Sequence, residues 1–186
     1  FGDNIKICHR LDTNTEGLVI FSKNNLAHTE ILNSFKEHLT EKKYIAFAYG
    51  KFSKVSDKLK AYLLKDNSSS IVKVFNTPVK HGEEIITEYT VLDYLKPYNV
   101  SILEVKLHTG KTHQIRAHLS FVGHPIIGDP KYSTNEINEK YNLAYQALVA
   151  YSYKFNFDKN SMLHYLNSKS LQLNKNEVIQ KIAEKL

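Results

Sequence analysis

The stretch that decides the fold class is residues 85–107, IITEYTVLDYLKPYNVSILEVKL. It is rich in β-branched and aromatic residues, and Leu103, Val105 and Leu107 alternate with Glu104 and Lys106. That two-residue period belongs to a strand with one buried face. Lys96-Pro97 breaks the run into two strands, Ile85 to Leu95 and Tyr98 to Leu107. A connection so short joins antiparallel neighbours, because parallel strands need a crossover of a dozen or more residues.

Working outward, the chain keeps supplying strands with few helices between them. Upstream, Tyr62-Leu63-Leu64 and Ile71 to Phe75 suggest a hairpin turned by Asn67-Ser68-Ser69-Ser70, preceded by a charged connection from Lys54 to Lys60. Lys43 to Tyr49 ends at Gly50 as a strand would, and Leu18 to Phe21 reads as a buried strand. Between them Asn24 and Asn25 offer caps for a helix carrying Ile31, Leu32, Phe35 and Leu39 at helical spacing. Downstream, Thr112 can cap a short helix with Ile115, Leu119 and Val122 on one face and His113 and Arg116 on another. A strand over Ala147 to Phe157 and a helix over Lys175 to Leu186 complete the reading. The expected fold is α+β, a mixed and mainly antiparallel sheet flanked by helices and loops.

Composition bounds the possibilities. The 186 residues are 42% hydrophobic, which excludes a disordered chain, and no apolar run approaches the ~20 residues of a membrane span. One domain, residues 1–186, is expected at this length. The single cysteine, Cys8, can form no internal disulfide, which fits a reducing, cytoplasmic setting. The net charge is +6, and among 25 basic residues only Arg10 and Arg116 are arginine. They mark where a planar, forked and permanently charged group is required, whereas lysine suffices elsewhere.

Cheap motif matches fail on geometry. Gly110-Lys111-Thr112 imitates a phosphate loop, but that pattern's first glycine would fall on Val105 inside a strand. His113 and His118 are five apart, not the four that put two ligands on one helix face, so no metal is expected. Cys8 and His9 are adjacent and point to opposite faces of an extended chain. Two polar islands remain, HRLDTNTEGLVIFSKN at 9–24 and LHTGKTHQIRAHL at 107–119, and each holds one of the arginines. Taken alone, Asp12 could be a turn-former and Arg116 a surface ion pair.

The first island resembles the catalytic signature of the RluA-type pseudouridine synthases: His-Arg-Leu-Asp, two variable residues, Thr, a small or polar residue, Gly and an apolar run ending in Lys. The stretch 107–132, LHTGKTHQIRAHLSFVGHPIIGDPKY, is similar to that family's second signature, and EKKYIAFAYGKF at 41–52 to the segment with its active-site tyrosine. The three motifs come in family order, and weaker similarity runs from Cys8 to about Phe157. The resemblance implies a pseudouridine synthase catalytic fold that isomerises uridine in RNA without cofactor or metal. It makes Asp12 the catalytic carboxylate, Arg116 the arginine that pairs with it, and Tyr44 the tyrosine lying against the target base. Arg10 matches an arginine that enters the space left by the extruded base. Lys23, Lys42, Lys43 and Lys111 are expected to attract RNA phosphates. His113, with Gln114, is placed around the site and counted among the RNA-contacting residues.

Two positions depart from the pattern. Lys111 stands where the family usually has arginine and loses its forked geometry, and Glu16 replaces a more frequent serine. With no strands ahead of the first motif, the chain reads as a catalytic domain trimmed at its N-terminus, with a sheet edge left open. The partner expected by family analogy is large-subunit ribosomal RNA, then transfer RNA, acted on by a monomer that does not engage membranes. The rival readings are a non-catalytic RNA-binding module of the same fold and a basic metalloprotein built on the histidine cluster.

Overall fold

The computed structural model describes residues 4–66, 70–167 and 169–186. In chain order the elements are β1 (Lys6–Ile7), β2 (Glu16–Gly17), β3 (Phe21–Ser22), α1 (Asn25–Lys36), β4 (Thr40–Tyr49), β5 (Ser56–Lys65) and β6 (Val72–Phe75). There follow β7 (Glu83–Leu95), β8 (Val100–Leu107), α2 (Gln114–Phe121), α3 (Asn135–Asn138), β9 (Leu148–Phe155), β10 (Leu171–Gln172) and α4 (Lys175–Ala183). Among the described residues the sheet runs β10-β9-β4-β8-β7-β5-β6, with β2 set parallel beside β9 and every other pairing antiparallel. The α+β expectation holds.

Residues 85–107 form the long hairpin at the sheet's centre. β7 and β8 pair from Thr87↔Leu107 to Leu95↔Val100. Lys96–Tyr98 make one 3-10 turn, and Asn99 closes it in the left-handed region at φ 52. Asparagine tolerates that conformation better than most residues. A bulge between Val91 and Asp93 shifts the register, which explains why Leu92 breaks the alternation and stays exposed.

The main core lies against this sheet. Ile45 and Phe47 of β4, Leu103 and Val105 of β8, Ile115 and Leu119 of α2, and Ile126 and Ile127 form one buried cluster. A smaller one gathers Cys8, Ala27, Ile31, Phe155, Phe157 and Leu163 beneath α1.

Several local expectations need correction. Leu18 to Phe21 is not a buried strand: Gly17 pairs with Ala150 and Phe21 with Ile7, so the segment crosses between two sheets and Phe21 is exposed. The Lys54–Lys60 connection is mostly strand, since β5 begins at Ser56 and sets Leu59 and Ala61 against outward lysines. Helix α1 is capped by Asn24, whose side chain accepts from the Ala27 N–H at 2.8 Å, but Leu32 and Leu39 are exposed. Thr112 does not cap α2. His113 holds that position at φ 53 without a side-chain capping bond, and Val122 lies exposed at the far end. The predicted hairpin is present as β5–β6, while residues 67–69 of its turn lie outside the described residues.

Candidate active site

Asp12 and Arg116, 104 positions apart in sequence, meet on the cleft face of the sheet. Helix α2 follows β8 through the Thr109-Gly110-Lys111 turn, and Gln114 fixes that turn. Its Oε1 accepts from Thr109 Oγ1 (2.9 Å) and the Lys111 N–H (3.0 Å), while its Nε2 donates to the Ile86 carbonyl and Thr87 Oγ1, each at 3.1 Å. With its four polar contacts made, the fully buried Gln114 locks the start of α2 to β7 and aims Arg116 inward.

The guanidinium is almost wholly buried, with 3% of its side chain exposed. Its Nε and Nη2 donate to the two carboxylate oxygens of Asp129 at 2.7 and 2.9 Å, and Asp129 is 0% exposed. The remaining edge, Nη1, donates to Asp12 Oδ2 at 3.3 Å. Burial alone would lower the arginine's pKa, but Asp129 and then Asp12 outweigh it and hold it above its usual value. One positive charge thus faces two carboxylates. The fork on Asp129 sets the plane of the group, and a single donor is presented to Asp12.

Asp129 is the partner of Arg116 to which sequence reasoning assigned no role of its own: it stands inside the second signature, in the Gly128-Asp129-Pro130 turn. Its Oδ1 also accepts from the Lys131 and Tyr132 N–H groups at 2.9 and 3.1 Å, so the turn is wound around its carboxylate. Tyr132 in turn lies with its ring 5.2 Å from the Arg116 guanidinium carbon. The Tyr132 hydroxyl accepts from the Val72 N–H at 2.9 Å and is hydrogen-bonded to His113 Nδ1 at 2.8 Å. Burial also lowers the His113 pKa, with Asp12 opposing and Arg116 reinforcing the shift.

Asp12 itself is a quarter exposed, at 25% of its side chain. Its loop is anchored from behind by β9. Gly17 sits at φ +128, where a Cβ would lie 2.2 Å from the Ala150 carbonyl oxygen, so only glycine fits. Gln146 donates from Nε2 to the Thr13 carbonyl (2.8 Å) and Thr15 Oγ1 (3.0 Å). Tyr44 enters from β4 in unbroken register with Val105 of β8. The bulge beside it lies in β9, where Tyr151 is the extra residue between Ser152, opposite Lys43, and Ala150, opposite Tyr44. Burial pushes the Tyr44 phenol up, Tyr153 opposes this, and the charge of Asp12 adds to it. The Tyr153 hydroxyl, close enough to perturb Tyr44, forms no well-shaped hydrogen bond.

Asp12, Tyr44, Arg116, Arg10, Lys42, Lys111 and His113 all line one cleft of about 580 Å³. Arg10 is exposed at its mouth. Lys42 lies 5.5 Å over the Phe35 ring, and burial lowers its pKa. Lys111 contributes to the wall, but its ammonium is held by Glu83. The structure does not bring Lys23 or Lys43 to the cleft. Lys23 is exposed beyond β3. Lys43 points to the opposite face of β4, because neighbouring strand residues alternate, and there it binds Glu104 at 3.0 Å. The neighbouring histidines, His108, His118 and His124, serve elsewhere. His108 lies 2.6 Å from Glu88, His118 3.0 Å from Thr87 Oγ1, and His124 2.9 Å from the Tyr49 carbonyl. Among the described residues no group of three or more His, Cys, Asp or Glu is arranged to hold a metal ion.

Comparison with known proteins supplies the family. The sequence model described as RNA pseudouridylate synthase matches residues 2–121. An uncharacterized RNA pseudouridine synthase of Mycoplasma genitalium is 33% identical over 175 residues, covering 94% of this chain and 54% of that protein. A protein of Rickettsia conorii named ribosomal large subunit pseudouridine synthase C is 38% identical over 136 residues, covering 73% of this chain and 44% of its own length. The chain therefore spans about half the length of these relatives. Among solved structures, human RNA Pseudouridylate Synthase Domain Containing 1 superposes with a TM-score of 0.74 at 22% identity, over 97% of this chain and 80% of that one. That likeness concerns the fold.

Proposed function

The chain belongs to the RNA pseudouridylate synthase family, and from that premise we propose that it isomerises uridine to pseudouridine within RNA, with Asp12 as the reacting carboxylate. The observation that carries this assignment is the cleft's charge arrangement. Among the described residues Asp12 is its one carboxylate, held by the free edge of an arginine whose other edge is already occupied, among the cations Arg10, Lys42 and Lys111.

A cleft of about 580 Å³ has the size of a small-molecule site, so it suits one extruded nucleotide and not a duplex. Inside it the bond from the ribose to uracil N1 breaks, the ring turns, and a new bond forms to C5. N1 gains a proton and C5 loses one. Asp12 either adds to the nucleotide or takes a ribose proton. Arg116 fixes the carboxylate's position through the one donor it presents to Oδ2. Tyr44 offers a flat ring with a polar tip against the base. Arg10, exposed at the mouth, fills the gap left in the RNA, and Lys42 meets a phosphate.

The substrate proposed first is large-subunit ribosomal RNA, in line with the name of the Rickettsia relative, and transfer RNA second. The test is to incubate the protein with unmodified transcripts of both kinds. Carbodiimide labelling and primer extension then map any pseudouridine formed. Modification at defined uridines of the ribosomal transcript supports the proposal, modification of transfer RNA alone selects the second substrate, and modification of neither contradicts it.

A further inference from the structure

A nucleotide turned into the cleft stays bonded to phosphates on both sides, so the strand must leave by two routes. One route is visible. A second groove of about 490 Å³ opens at the end of the sheet and shares His38 and Leu107 with the cleft. Strand register explains why they adjoin. Lys42 pairs with Leu107 on β8 and Tyr153 on β9, and Lys42 and Tyr153 face the cleft. The alternate residues Glu41, Lys106 and Lys154 line the groove instead.

The charge balance of the groove suits a polyanion. Among the described residues its one carboxylate is Glu41, held by Lys106 at 2.5 Å, and His108 is engaged by Glu88. Lys154 is exposed, and among the described residues no carboxylate lies within ion-pairing distance of it. Approaching from the alternate face of β9, it adds a cation to the Arg10, Lys36 and Lys42 of the cleft, with which its groove shares His38. Asn156, also exposed in the groove, carries an amide able both to donate to and accept from a ribose 2′-hydroxyl.

We propose that this groove carries the RNA strand flanking the target uridine, with Lys154 on a backbone phosphate and Asn156 on a ribose hydroxyl. The assignment rests on the reading of the cleft as the site of the extruded uridine.

The test is the affinity for a fluorescently labelled RNA stem-loop at several salt concentrations, comparing the parent protein with Lys154→Ala, Lys154→Glu and Lys185→Ala. Lys185 lies on a cavity near α4 and serves as the control. Loss of one phosphate contact on a single strand lowers the salt slope by about 0.7 and weakens binding about fivefold near 0.1 M salt. Lys154→Ala should show that loss, Lys154→Glu a larger one, and Lys185→Ala none. Unchanged affinity and slope in both Lys154 variants, with a parent that binds well, would overturn the groove while leaving the cleft intact. A parent that does not bind RNA at all would overturn both, so the two failures are told apart.

Discussion

Arg116 and Asp129 form a forked ion pair, closed to solvent, whose two hydrogen bonds measure 2.7 and 2.9 Å. The contact from the same arginine to Asp12 is single, longer at 3.3 Å, and open to the cleft. Removing one partner of a buried pair strands the other charge, at a cost of about 3–5 kcal/mol. Asp129→Asn should therefore lower stability by that order in urea unfolding and abolish turnover together. Asp12→Asn should leave the urea midpoint close to the parent's and remove turnover alone. Equal stability losses in the two variants would contradict the division of labour.

Gly17 is the hinge of the Asp12 loop on β9. Because a Cβ there meets the Ala150 carbonyl at 2.2 Å, Gly17→Ala must push the two strands apart. The expected cost is about 3 kcal/mol, at the upper end of single substitutions. Gln146→Leu removes the two tethers to Thr13 and Thr15, about 1–3 kcal/mol. Steady-state kinetics on Gln146→Leu should show a fall in kcat exceeding the rise in KM, since the carboxylate is misplaced while the RNA contacts persist.

Lys42 and Lys43 are neighbours with different work. Lys43→Ala leaves the part-buried Glu104 with fewer donors and should cost about 1 kcal/mol of stability without changing RNA affinity. Lys42→Ala should weaken RNA binding and flatten its salt dependence. Fluorescence anisotropy at two salt concentrations separates them.

Acid should destabilise the fold through His118. Burial pushes its pKa from 6.5 down to about 4, so the folded protein keeps it neutral where the unfolded chain would take up a proton. Its contribution is complete above pH 6.5 and drains away as pH falls toward 4, in total on the order of 3 kcal/mol. His9 and His113, also lowered by burial, add in the same direction. Urea midpoints measured near neutrality and again near pH 5 should fall on acidification, and His118→Gln should reduce that difference.

The central hairpin was legible because alternation and a Lys-Pro break are local signals, and the two polar islands because each packs rare residue types together. Asp129 was not, since an acid between Gly128 and Pro130 looks like any turn until Arg116 is seen behind it. That Lys42 and not Lys43 lines the cleft was legible too: Lys43 differs in strand parity from Tyr44, whereas Lys42 agrees. The crossing of Leu18 to Phe21 between sheets had no sequence cue beyond Gly17, whose demand for a positive φ depends on Ala150, far along the chain.

The most direct test of the account is tritium release from RNA carrying uridine labelled at C5, with the parent protein beside Asp12→Asn. Only formation of the new carbon–carbon bond expels that hydrogen. Release by the parent and none by Asp12→Asn, with RNA affinity retained in the variant, is the predicted result. Undiminished release from Asp12→Asn would contradict the assignment of the carboxylate, and no release by the parent would contradict the proposed activity.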